Sequence, residues 1–297
     1  MVFYKTQALS DTSQQVFRHA EQFSKGEALS LLDDMALTDT MKLIFNVSKI
    51  YPELAETFSP SIPYIADMIS RTEISSKPLN GLVSFMINSL TVLDVEHSDA
   101  TTLFPESDPN CRVDRFIDIL DRAVSDYDAE DLETKVIPLL QVLIILYEMA
   151  PESARKHMQS LLLPEDNDHQ LPIGQSNTLS SRLLRMSTSP IMNLKTATSE
   201  LLFVLSEKNA QTLTQNIGYG YAAGFLAFRG MGVSETAAGT NGLFDPEINP
   251  VTGQRFSAEG QDTSPPMTRE EKEREAERLF VLFERWAHHS TTWGLIA

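Results

Sequence analysis

Cysteine is nearly missing from this chain of 297 residues. Cys111 stands alone, so no internal disulfide can form and a reducing compartment is expected. Basic residues are also in deficit: 24 Lys and Arg stand against 41 Asp and Glu, a net charge of −17. A nucleic-acid binder needs a basic face to neutralise phosphates, and an anionic membrane surface repels the same acidity, so the balance argues against both partners. Solubility or a basic protein partner is what the charge leaves open.

Long apolar runs are missing too. The longest, Val136 to Ala150, is too short to cross a bilayer and holds Pro138, Gln141 and Glu148. No charged-then-apolar leader opens the chain. No stretch alternates β-branched residues with period two, the mark of a half-buried strand. A soluble cytoplasmic protein without a sheet is expected.

Catalytic constellations are absent as well. His288 and His289 are adjacent and cannot share one helix face as ligands spaced four apart do. Cys111 lies in a polar stretch with no histidine beside it, which favours an inert thiol over a nucleophile. Gly218, Gly220 and Gly224 resemble a dinucleotide fingerprint only faintly, lacking a preceding strand and the third glycine's spacing, so they read as packing glycines. Asn46-Val-Ser48 is a glycosylation sequon in form only, since it lies within a helix. The chain reads as no enzyme, with no cofactor and no metal.

What is present is helix after helix. Val16, Phe17, Ala20 and Phe23 form a stripe capped by Asp11 or Thr12. Thr38 or Asp39 opens a helix with Met41, Ile44, Phe45 and Val47 inward, and Pro52 stops it. Ser61 to Arg71 and Leu79 to Leu90 follow, then a polar loop from Glu96 to Asn110. Val113 to Tyr127 carries Phe116, Ile117, Leu120 and Val124 at helical spacing. Leu132 to Met149 is apolar almost all round, as a helix buried on several sides is. Ala154 to Leu163 is its companion, and Asn177 or Ser180 begins the next helix after a loop over 164–177.

The chain is organised around Leu194 to Gly230. Leu194, Ala197, Leu201, Leu202 and Leu205 make a buried stripe, leaving Lys195, Thr198 and Ser199 free to face solvent or a partner. After a polar break, a second helix opens on Gly218 and Gly220 and closes on Gly230. Helix pairs recur every roughly 40 to 50 residues, the spacing of armadillo and HEAT repeats. The expected fold is an all-α solenoid over residues 1–229, with a compact helical bundle as the competing arrangement. Residues 230–266, rich in Gly, Ser, Thr, Asn and Pro, are expected to form an extended strap or linker. Residues 267–297 hold a last amphipathic helix opened by the capping box Thr268-Arg-Glu-Glu271, plus a tail.

Four segments carry a family resemblance in this order: Ser199-Glu-Leu-Leu-Phe-Val-Leu205, Asn216-Ile-Gly-Tyr-Gly-Tyr-Ala-Ala-Gly-Phe-Leu-Ala-Phe-Arg-Gly230, Ile248-Asn-Pro-Val-Thr-Gly253 and Met267-Thr-Arg-Glu-Glu-Lys-Glu-Arg-Glu-Ala276. Together they resemble the synembryn family, and weaker likeness extends through Met41 to Asn46 and Pro78 to Asp94, so most of residues 38–286 is covered. The resemblance implies a cytosolic chaperone and non-receptor guanine nucleotide exchange factor for G-protein α subunits. It implies an armadillo/HEAT solenoid whose concave face takes the α subunit's C-terminal helix. The strap and final helix then reach the nucleotide domain, and GDP leaves because that helix is pulled away. Family members are longer at the N-terminus, so the chain is expected to lack their first repeats. The acidic, phosphorylatable stretch of animal members is missing between Gly230 and Glu247, and the likeness ends after Arg285.

Partner contacts are expected at polar positions off the apolar stripes: Asn46, Lys49, Asn88, Arg182, Arg185, Lys195 and Thr198. Each can equally be a solvated or backbone-bonded residue. Phe280 and Phe283 on the final helix either pack on the solenoid or clamp the partner. Tyr219 and Asn249 are expected to hold the strap down. A monomer recruited to the plasma membrane through its partner completes the expectation. The alternative is a helical-repeat scaffold that binds a partner helix without exchange activity.

Overall fold

The computed structural model describes residues 2–25, 30–95, 100–231, 247–249, 252–259 and 268–278. The chain divides into a large unit, Met1–Glu259, and a small one, Gly260–Ala297.

Twelve helices make up the described part of the large unit: α1 (Val2–Ser24), α2 (Leu31–Ile50), α3 (Ala55–Phe58), α4 (Ile62–Arg71), α5 (Leu82–Leu90), α6 (Ala100–Leu103), α7 (Cys111–Asp126), α8 (Ala129–Met149), α9 (Glu152–Leu162), α10 (Leu179–Ser187), α11 (Met192–Leu205) and α12 (Ala210–Phe228). They stack as two rows. In the first, α2 packs on α5, α5 on α8 and α8 on α11. In the second, α1 packs on α4 and α4 on α7, and the row continues through α9 and α10 to α12. Helices α1/α2, α4/α5, α7/α8 and α10/α11 also pair across the rows. This is an all-α helical-repeat solenoid. No strand occurs among the described residues, which hold one isolated antiparallel bridge, Ile248 with Arg255.

Apolar spacing explains the stacking. Met41 and Ile44 of α2, Met86 of α5, Leu139, Leu140 and Leu143 of α8, and Leu201 and Leu202 of α11 are all fully buried. Each such side chain contributes roughly 1.5–3 kcal/mol by leaving water. A side-chain bond also joins the first row: Ser89 Oγ donates to the Met41 carbonyl at 3.0 Å and to that of Phe85 at 2.9 Å.

Helix starts differ from the sequence reading where a polar residue sits within a helix. α1 runs straight through Asp11 and Thr12. α2 begins at Leu31, capped by Ser30, whose Oγ accepts from the Asp33 N–H at 3.2 Å. Thr38 and Asp39 are internal to it. Asp128 caps α8, accepting from the Asp131 N–H at 2.9 Å. Thr178 caps α10, in place of Asn177 or Ser180. α6 occupies part of the expected loop over 96–110, and Cys111 is exposed at the first position of α7 rather than within a loop.

The last pair is tied by its turn. Glu207 and Lys208 both hold positive φ, 56° and 54°, and Asn209 then caps α12 by accepting from the Gln211 and Thr212 N–H groups. α12 therefore starts at Ala210, well ahead of the glycines. Gly218 breaks it with φ 76° and ψ 156°, a region open essentially to glycine alone.

Within the strap, residues 247–249 and 252–259 pair with one another and dock on the loop before α10. The Asn249 N–H donates to Gln254, and the Phe256 N–H to Glu247. The Ile173 N–H donates to the Thr252 carbonyl at 3.0 Å, and the Arg255 N–H to that of His169 at 2.8 Å. In the small unit, residues 269–278 are helical, here α13. The capping box at its start is reciprocal: the Glu271 N–H reaches Thr268 Oγ1 at 3.3 Å, and the Thr268 N–H reaches Glu271 Oε2 at 2.8 Å.

Candidate functional site

Each helix of the first row buries one side and leaves the other at least partly open to solvent. On α2, Lys42, Asn46 and Lys49 follow helical spacing and are exposed. The Lys42 ammonium stands 5.0 Å from the centre of the Phe85 ring on α5, so the two helices share this surface. Asn88, almost one turn beyond Phe85, is half-buried. Among the described residues the side chains of Asn46 and Asn88 have no hydrogen-bond partner. Lys49 has no ion pair there and lies 5.1 Å from the Phe45 ring.

Further along the row, α8 and α11 enclose a groove of about 520 Å³, lined by Ile137, Gln141, Ile144, Asn193, Thr196, Ala197 and Glu200. Residues 193, 196, 197 and 200 fall on one side of α11 at 100° per residue, opposite the stripe that includes Thr198 and Leu202. Two of the polar side chains are already held. Asn193 Nδ2 donates to Glu133 Oε1 at 3.0 Å, and Glu200 pairs with Arg229. Arg229 in turn covers the rings of Phe203 and Phe225 at 5.4 and 5.2 Å. What faces the groove is therefore apolar surface with neutral amide and hydroxyl groups, chemistry suited to one side of an amphipathic helix.

The expected contact residues distribute unevenly. Thr198 is a correction: it is fully buried, and its Oγ1 donates to the Leu194 carbonyl at 2.8 Å, so it faces neither solvent nor a partner. Ser199, read with it as free, is buried too. Lys195 is half-buried on the flank of α11 away from the groove. Arg182 pairs with Asp121 across to α7, and Arg185 Nη1 donates to the carbonyls of Gly174 and Ser176 at 2.6 and 3.0 Å. Arg182 therefore ties α10 to α7, and Arg185 holds the loop before α10. Phe280 and Phe283 lie outside the described residues. Ala197, placed in the buried stripe by the sequence reading, is instead half-buried and lines the groove, so finding the groove required positions 193, 196, 197 and 200 on the other side of α11 rather than the most polar residues nearby.

The strap's floor is built on Asp168. Its buried carboxylate accepts from Ser176 Oγ at 2.7 Å, Ser180 Oγ at 2.8 Å, Thr178 Oγ1 at 2.9 Å and the Glu165 N–H at 3.2 Å. Burial alone pushes this acid upward. The hydrogen bonds outweigh it and hold the group below its ordinary value. Next to it, His169 Nδ1 lies 2.6 Å from the Gly253 carbonyl, and Gly253, at φ 66°, sits against Ile173. Arg255 bridges Asp166 and Glu247 at 3.2 and 3.1 Å. Asn249 acts inside the strap, donating to Glu259 Oε1 at 2.7 Å. Tyr219 is 46% exposed, whereas Tyr221 donates to the Ile173 carbonyl at 3.1 Å and reaches the floor.

A second, smaller cavity of about 290 Å³ lies beside the α11–α12 turn, lined by Tyr147, Glu148, Arg155, Val204, Glu207 and Lys208. Tyr147 Oη donates to Glu207 Oε1 at 2.6 Å and accepts from Gln159 Nε2 at 2.7 Å. Burial first, and the Glu207 carboxylate second, raise the phenol well above its usual range. Such a hydroxyl stays protonated and acts as a tie between helices. No cluster of three metal-ligating side chains occurs among the described residues, and none of the described helices is long and apolar enough to cross a membrane.

Comparison with known proteins fits this architecture. Residues 4–291 match the family described as guanine nucleotide exchange factor synembryn. The match runs past Arg285, where the visible motifs stop, and starts ahead of Met41. Among curated relatives, the chaperone Ric-8A of Xenopus tropicalis is 30% identical over 184 residues, 58% of this chain and 33% of that protein. A synembryn-like chaperone of Schizosaccharomyces pombe is 25% identical over 284 residues, 87% of this chain and 53% of the relative. Ric-8A of Mus musculus is 32% identical over 169 residues, 53% of this chain and 32% of that protein. The chain thus spans about a third to a half of the length of the relatives it matches. Two rows of paired helices, a docked strap and a family match across nearly all its residues lead to one conclusion: this chain belongs to the synembryn family.

Proposed function

We propose that this chain binds a G-protein α subunit, chaperones its folding and speeds its release of GDP. Membership of the synembryn family over residues 4–291 is the observation that carries this reading. The relatives named as chaperones support the folding role. The groove between α8 and α11 supports a helix as the element that is gripped.

In this mechanism no covalent bond is made. The α subunit's C-terminal helix exchanges its place on the G domain for the row α2–α5–α8–α11. Ile137, Ile144 and Ala197 take its apolar stripe. Gln141 and Thr196 meet its polar edge, and Asn46, Lys49 and Asn88 extend the contact along the row. Because the chain binds the detached helix better than the docked one, it shifts the α subunit toward the state with a loosened guanine site. Each tenfold preference corresponds to about 1.4 kcal/mol of differential binding. Such work belongs in the cytoplasm, with the plasma membrane reached through the α subunit.

The test is GDP dissociation from a purified, GDP-loaded α subunit with and without the full chain. Faster loss is expected, weakened at least about tenfold by Gln141→Arg with Ala197→Arg and little changed by Lys195→Glu. One-to-one binding without faster GDP loss overturns the exchange role and leaves the helix-binding scaffold.

A further inference from the structure

The groove between α8 and α11 is apolar in its middle and unevenly charged at its two ends. On α8, Glu130, Glu133, Ile137, Gln141, Ile144 and Glu148 share one side at three- and four-residue steps. At the far end the acids are neutralised: Glu200 pairs with Arg229, and Glu148 with Lys208. At the near end, where α8 begins, they are not. Among the described residues neither Glu130 nor Glu133 has a basic partner. The bases nearby are engaged or turned away. Lys77 and Lys135 pair with Asp131 at 3.9 and 3.1 Å, and Lys195 lies on the other flank of α11.

Glu130 is accounted for by α8 itself: it is exposed in the first turn, where the positive end of the helix dipole favours an acid. Glu133 is not. It stands beyond that turn, is half-buried, and is fixed beside the groove by Asn193, whose Nδ2 donates to its Oε1 at 3.0 Å. An uncharged amide holds the carboxylate in place without cancelling its charge. Any helix that fills the groove takes further water from Glu133. An apolar or acidic edge there leaves the carboxylate covered without a counter-ion, whereas a lysine or arginine replaces the lost water with an ion pair. The groove thus rejects as well as selects.

We propose, resting on the reading of this groove as a helix-binding surface, that Glu133 sets its specificity. The helix it takes is amphipathic and carries a lysine or arginine on the edge that meets Glu133. The net charge of −17 draws the same class of partner from a distance, and Glu133 supplies the contact that discriminates once the helix is seated.

The test titrates the full chain with three amphipathic helical peptides that share one apolar stripe and carry lysine, glutamine or glutamate along one polar edge. The lysine-edged peptide is expected to bind one-to-one, at least about tenfold tighter than the glutamine-edged one, with the glutamate-edged one weakest. Glu133→Gln keeps an acceptor for Asn193 while removing the charge, so it should erase most of that difference, and Glu133→Lys should reverse it. Gln141→Arg with Ala197→Arg should weaken the lysine-edged peptide, as binding in the groove requires. Equal binding of the three peptides overturns the proposal, as does binding by none of them. A preference for lysine that survives Glu133→Gln belongs to the net charge and overturns it too. The intact α subunit separates this proposal from the G-protein reading. Faster GDP loss that is indifferent to Glu133→Gln overturns the role of Glu133 and leaves that reading standing. An α subunit that neither binds nor displaces the lysine-edged peptide overturns that reading and leaves the role of Glu133 standing.

Discussion

One residue shapes the floor on which the strap docks and another seats the strap on it, by different physics. Asp168 gathers three hydroxyls and one N–H, and its carboxyl is held below the ordinary value near 4. A depressed acid adds stability above its unfolded value, and that contribution disappears as pH falls through the folded value. Asp168→Asn is expected to cost about 1–3 kcal/mol at neutral pH and to flatten the acid side of the stability curve, measured by denaturant unfolding from pH 7 to pH 3. Gly253 acts by shape: an added Cβ would lie 2.7 Å from Ile173 Cδ1, at a φ that L residues rarely adopt. Gly253→Val should release residues 247–259 to proteolysis before the helices unfold. Cleavage of the variant at the wild-type rate would count against the docked strap. At Gly218 the same substitution meets open space and strains only the backbone. From the sequence, the segment around Gly253 was readable as part of a strap by its Gly, Ser, Thr, Asn and Pro content. Asp168 was not, because its partners lie up to twelve residues on and only the fold gathers them.

At the scale of elements, helix positions were mostly legible because apolar spacing decided them. Ile62–Arg71, Cys111–Asp126 and Met192–Leu205 differ from the sequence reading by a residue or two. α2 was misread by eight residues at its start for a physical reason. Leu31, Leu32 and Met35 are exposed, so the first turns break the pattern of apolar in and polar out. Thr198 was misread in the opposite sense: a hydroxyl that returns its bond to Leu194 can be buried like an apolar group. A pair of truncations checks the row assignment. Leu140→Ala in the fully buried middle of α8 should cost about 2–5 kcal/mol. Leu43→Ala on the exposed side of α2 should stay within about 0.5 kcal/mol, since surface changes away from special features do little. Equal losses would mean that α2 is covered from both sides.

At the scale of the whole large unit, the two-row stack was legible from helix pairs recurring at regular spacing. The groove was not, since it depends on which flank of α8 faces which flank of α11. The polar residues picked from the sequence as contacts sorted by that geometry: Asn46, Lys49 and Asn88 stayed on the open row, while Arg182 and Arg185 turned to internal partners. The central claim is that this row grips a helix. It is tested most directly by titrating the chain with a peptide of the α subunit's C-terminal helix. The account predicts saturable one-to-one binding, competition with the intact α subunit, and loss of affinity with Gln141→Arg and Ala197→Arg. An intact α subunit that binds while its helix peptide neither binds nor competes would contradict it.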